Sequence, residues 1–196
     1  MKKIPFKQRS DQPSAGQPSA GQPFSDQPSS GDTLDFVALR TVELEPWLPY
    51  VYGNRFASIV AVKGEAGEAE REGKPFFGED AEALENAFVS LGWGFNSWCG
   101  VTLEVSDKDT LSALELRMIV EIIDPQVVVA LDRRALLMLQ EGYGDELLPE
   151  IPSPGKKTTL LGRTFVYVDG FEVALASDDE GEAKRRVWRE LKVLKR

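Results

Sequence analysis

The chain has no histidine and a single cysteine among its 196 residues. Without an imidazole it can assemble no Ser-His-Asp or Cys-His relay and no histidine-ligated metal. One thiol, Cys99, allows no internal disulfide and falls short of the four thiolates an iron–sulfur cluster needs, so neither a cluster nor another metal is expected. Cys99 therefore reads as a small buried hydrophobe, and a reducing cytoplasm as its simplest home. No apolar run approaches the ~20 residues of a membrane helix, and mean hydropathy is negative. The opening MKKIPFKQRSDQ has a basic start with no apolar stretch behind it, unlike a secretory signal.

Basic residues are also outnumbered, 23 against 32 acidic ones. The net charge is −9, and residues 1–34 carry four basic side chains against three acidic ones, which leaves the remainder at about −10. Such a body repels a polyanion at long range, so DNA binding is expected to be weak. A basic cluster does occur at the C-terminus, from Lys184 through Arg185, Arg186, Arg189, Lys192 and Lys195 to Arg196. On a helix these residues spread over several faces, as on a solvated final helix whose charges complement its dipole.

What is present divides the chain in two. Residues 10–34 repeat QPSAG-like units at Gln12, Gln17, Gln22 and Gln27, and Pro, Ser, Gly and Gln offer too little apolar surface to offset the entropy of ordering. This reads as a disordered tether. Ahead of it stands MKKIPFKQR, with Ile4 and Phe6 set between basic residues, and a short apolar–basic peptide on a leash suits capture of a protein partner. Residues 35–196, within a chain that is 42% hydrophobic, can bury one core.

In that domain Leu44–Tyr52, with two prolines, reads as an extended or looped lead-in. Ala57–Val62 and Gln126–Leu131 are continuous apolar runs of the kind that form buried parallel strands. Asp80–Leu91, Asp109–Ile123, with Asp109 as N-cap, and Asp132–Gln140 carry helical spacing. Trp98–Val105 alternates as a strand. Thr158–Leu161 and Thr164–Val168 read as a hairpin turned at Gly162-Arg163, Phe171–Ala176 as the last strand and Glu182–Leu194 as the last helix. Alternating strands and helices predict a three-layer α/β/α sandwich around a mostly parallel sheet, with ligands at the carboxyl ends of the strands.

Ile59–Gly92 contains the turn GEAGEAEREG and the signature Gly73-Lys74-Pro75-Phe76-Phe77-Gly78 before an amphipathic helix. This resembles the first motif of the iron–sulfur uracil-DNA glycosylases, which reads roughly G-E-A-P-G-x-x-E-D-x-x-G-x-P-F-x-G. Glu115–Ala135, Leu161–Phe171 and Glu182–Leu191 are similar, in order, to that family's helix–strand–helix passage, penultimate hairpin and terminal helix. The resemblance spans roughly Ala57–Leu194 and implies a uracil-DNA glycosylase-like fold. It implies a base pocket built from Gly64, Ala66, Gly67, Phe76, Phe77 and Thr102, with Phe76 as the stacking platform. Glu65 and Glu70 match the water-positioning acids only if a gap is opened; without it, Lys63 stands at the acid's position.

The family's other chemistry has no counterpart. Its cluster cysteines are absent, with Ser112 standing where the fourth would fall, and its His-Pro-Ser loop is replaced by the acidic Ala174–Glu180. Thr102 stands nearest to its base-reading Asn. Loss of one leaving-group donor of the oxyanion-hole type typically costs about 10²–10³ in rate. The expectation is a catalytically degenerate member, a non-catalytic accessory or binding module in DNA repair or replication. The similar fold of the psi subunit of the bacterial clamp loader, also non-catalytic and also carrying a terminal partner-binding segment, fits that layout. The alternative is an active but divergent glycosylase that hydrolyses the N-glycosidic bond of a deaminated base.

Overall fold

Unbroken apolar runs become strands here because both faces of the sheet are covered. The computed structural model describes residues 42–64, 75–76, 78–106, 108–144, 153–176 and 181–196. Its strands are β1 Val51–Gly53, β2 Ile59–Lys63, β3 Trp98–Thr102, β4 Glu104–Ser106, β5 Asp109–Thr110, β6 Val127–Ala130, β7 Lys157–Leu160 and β8 Arg163–Tyr167. Its helices are α1 Glu79–Ser90, α2 Ala113–Ile123, α3 Arg133–Tyr143, α4 Phe171–Ala176 and α5 Glu182–Leu191. The tether and peptide read in residues 1–34 lie outside the described residues, as do Glu65, Ala66, Gly67, Glu70, Phe77 and residues 177–180 of the acidic loop.

Six strands form one sheet in the order β1-β3-β2-β6-β8-β7. β3, β2, β6 and β8 are parallel, while β1 and β7 pair antiparallel at the two edges. Successive side chains of a strand point to opposite faces, and each face has its own core. Val60, Val62, Val101, Val128 and Ala130 meet Leu116, Ile119 and Val120 of α2 and Leu136 and Leu139 of α3. Ile59, Ala61, Val127 and Val129 meet Leu84 and Phe88 of α1, Phe171 and Ala174 of α4, and Val187 and Leu191 of α5. The predicted mostly parallel α/β sandwich is therefore the observed architecture. Each fully buried Leu or Phe in it contributes on the order of 2 kcal/mol through lost apolar surface. No helix among the described residues is long and apolar enough to cross a membrane.

Five local expectations change. Phe171–Ala176 is a helix, not the last strand: Gly170, at φ +72°, turns the chain, Ala174 N–H donates to the Gly170 carbonyl, and Phe171 and Ala174 are buried three residues apart. FEVALA satisfies either period, and the flank of α1 and α5 selected the helical one. The second predicted helix begins at Ala113 rather than Asp109, because Ser112 and Glu115 form a reciprocal capping box; Asp109 instead belongs to β5 and accepts from Ser106 Oγ at 2.6 Å. Trp98–Val105 is broken at Leu103, after which β4 turns away to pair with β5. The proline-bearing lead-in winds into a 3₁₀ turn at Glu45–Tyr50 before becoming edge strand β1. The hairpin also turns one residue early, at Leu161-Gly162, with Leu160 opposite Arg163.

Candidate functional site

In an open parallel sheet a ligand crevice forms where consecutive connections depart to opposite sides. Here the chain leaves β2 for β3 on one side and then crosses to β6 on the other, so the carboxyl ends of β2 and β6 mark that place. β2 ends in Lys63, opposite Thr102 of β3. Gly64 follows, and its N–H donates to Asp132 Oδ2 just beyond β6. Asp132 also caps α3 by accepting from Ala135 N–H at 2.7 Å. A Cβ on Gly64 would lie 2.7 Å from Arg134 Cβ and 2.7 Å from Asp132 Oδ1, so only glycine lets these two strand ends approach.

Lys63 closes an otherwise apolar strand and is fully buried. A buried ammonium needs compensation. It is supplied by Asp80 of α1 at 2.7 Å and Glu172 of α4 at 3.2 Å, with the Phe76 ring centroid 5.0 Å away. Phe76 is itself completely buried, meets Trp98 edge-on at 5.7 Å, and lies so close to β3 that a Cβ on Gly100 would come within 2.5 Å of its ring. Its φ of +52° is unusual for a non-glycine residue, and this packing holds it there. Thr102 is fully buried as well, and Oγ1 has no hydrogen-bond partner among the described residues.

Beside this corner a cleft of about 320 Å³ opens between the β6–α3 and β8–α4 connections, lined by Asp132, Arg133, Arg134, Gly170, Glu172 and Val173 among others. Arg134, one of its lining residues, pairs with Glu104 of β4. At the end of β8 the Tyr167 hydroxyl is pushed up to about 12, first by burial and then by donation to Asp169 at 2.9 Å. Cys99, on β3 in the same core as Tyr167, is completely buried and its thiol is likewise raised to about 12 by desolvation. Both groups are therefore neutral near pH 7.

Of the residues expected to form the pocket, Gly64, Phe76 and Thr102 converge on this corner; Glu65, Ala66, Gly67, Glu70 and Phe77 fall outside the described residues. Asp80 and Glu172, which complete the corner, carry no local signal as partners, since one lies at a helix start and the other in a segment whose alternation suits a strand. Their only trace was indirect: a lysine terminating a doubly buried strand must find carboxylates somewhere. Among the described residues no group of three His, Cys, Asp or Glu side chains is arranged to hold a metal. No family model matches the chain, and no curated protein matches it.

Proposed function

We propose that this chain is a non-catalytic accessory or binding module of DNA repair or replication, carried on a uracil-DNA glycosylase-like sandwich and acting through protein partners. The observation that carries the reading is the state of the Lys63–Phe76 corner. A glycosylase needs a carboxylate that holds water against the sugar and an aromatic face open to an extruded base. Here the strand-end position holds a cation neutralised by Asp80 and Glu172. The ring is also closed to solvent, because Phe76 has no exposed surface and packs against Trp98 and Gly100. A flipped base would have to displace core side chains to stack there.

The test is direct. Purified protein incubated with single- and double-stranded uracil DNA, then treated with alkali, is expected to leave the strands uncut. Robust cleavage abolished by Glu65→Gln or Glu70→Gln would replace this reading with that of a divergent glycosylase. Partner capture is assigned to residues 1–9, so deleting residues 1–34 is expected to weaken recovery of bound proteins while leaving thermal stability nearly unchanged.

A further inference from the structure

At the β1 edge of the sheet, a cleft of about 360 Å³ is lined by Tyr52, Gly78, Glu82, Glu85, Phe95 and Trp98, with Gly53, Ala81 and Asn96 completing it. Phe95 is 83% exposed and Tyr52 38%, whereas large aromatic side chains are normally well covered. Phe95 does not stand on a loose loop. The next residue is held from both sides: Asn96 N–H donates to Glu85 Oε1 at 2.8 Å, and Asn54 Nδ2 donates to the Asn96 carbonyl at 2.9 Å. Glu85 also accepts from Trp98 Nε1, and Tyr52 lies 5.8 Å from the Trp98 ring. An aromatic displayed on a pinned backbone loses little entropy on binding, as interface anchors require.

We infer that this cleft is the docking site for the chain's own N-terminal segment, residues 1–9, bound in cis. The segment supplies Ile4 and Phe6 as anchors and Lys2, Lys3, Lys7 and Arg9 as charges, and Glu82 and Glu85 in the cleft's lining complement them in sign. Charge also decides against the other apolar depression, between Ala87 of α1 and Leu175 and Trp188 of α4 and α5, because Lys184 borders it and Arg185, Arg186 and Arg189 share that helix. Reach is no obstacle. The 32 residues from Ser10 to Thr41 span at most about 105 Å, against a domain diameter of roughly 39 Å from its radius of gyration. Tethering of this kind raises the effective concentration to about the millimolar range, so even weak contacts hold the segment down. A partner that captures residues 1–9 must then displace them from the cleft; that consequence rests on the partner reading above, whereas the docking itself does not.

The experiment uses the full chain with Phe6 replaced by the photo-crosslinking residue p-benzoyl-phenylalanine. Irradiation at low protein concentration is expected to give an adduct at monomer mass, mapped to peptides containing Tyr52 or Phe95–Trp98. Phe95→Ala and Glu82→Lys, both at exposed positions, are expected to lower its yield at least about tenfold, Phe95→Ala without changing the melting temperature and Glu82→Lys with only the small drop that a cation in the first turn of α1 brings, and 1 M salt is expected to lower it too. Adducts at dimer mass, adducts mapping to α5 or scattered over the surface, or a yield indifferent to Phe95→Ala and Glu82→Lys would overturn the assignment.

Discussion

Removing Asp80 should harm this protein more than removing the lysine it pairs with. The Lys63 side chain has no exposure, whereas those of Asp80 and Glu172 retain 22% and 45%. Breaking a buried pair costs about 3–5 kcal/mol when an uncompensated charge stays behind in the interior. Asp80→Ala leaves such a charge, softened by Glu172 at 3.2 Å and by a further contact of Lys63, so the lower end, about 3 kcal/mol, is expected. Lys63→Met keeps the buried stem and strands only carboxylates that water can reach, for about 1–2 kcal/mol. Unfolding entropy near 2.1 cal/mol/K per residue turns 3 kcal/mol into roughly 9 °C for the 155 residues from Val42 to Arg196. Calorimetry or urea titration of both single variants and the Lys63→Met/Asp80→Ala double variant measures this, with Glu79→Ala in the same exposed helical turn as control for the helix dipole. The double variant should be more stable than Asp80→Ala alone. If Lys63→Met proves as costly as Asp80→Ala, or the double variant is the worst of the three, the ammonium is a net stabiliser and the reasoning fails.

Alkali should erode the protein's stability in two successive steps. The folded pKa values of Cys99 and Tyr167, each raised to about 12 from 9.0 and 10.0, exceed the unfolded ones, so the stability they contribute is complete below pH 9 and is lost as pH rises toward 12. Stability measured against pH should start to fall near 9 in the native chain and only near 10 in Cys99→Ala, with Cys99 inert to thiol reagents until unfolding; an identical onset in both would show that the buried thiol is not the cause. Gly100→Ala should cost about 1–3 kcal/mol because its Cβ would press to 2.5 Å from the Phe76 ring, and Phe76→Ala about 3–5 kcal/mol as a core truncation. A neutral Phe76→Ala would mean that the ring is not part of the core. Ser112→Ala, which removes the capping box of α2, should lower stability by about 1 kcal/mol in denaturant titration.

The buried strands and the amphipathic helices could be read locally. IVAVK and VVVA are continuous, β-branched runs that only a doubly covered sheet accommodates, and α3 carries its own start signal in Asp132. FEVALA misled because six residues cannot distinguish a period of two from one of 3.6, and what decided between them was the packing of Phe171 and Ala174 beside α5. The second helix starts four residues later than Asp109 because Ser112 and Glu115 form the capping box, while Asp109 pairs with Ser106 of β4, a contact that no local rule anticipates.

Amino-acid order alone determined the alternation of elements, the charge asymmetry between the first 34 residues and the rest, and the want of imidazole and thiolate chemistry. Tertiary structure alone decided what surrounds Lys63, since its carboxylates come from 17 and 109 positions away and meet it only when α1 and α4 pack on one face of the sheet. It likewise decided that Phe76 is interior and Phe95 exposed. Both are aromatic residues in turns, and their fates differ because burial depends on which neighbours the fold brings to each, not on the residue type.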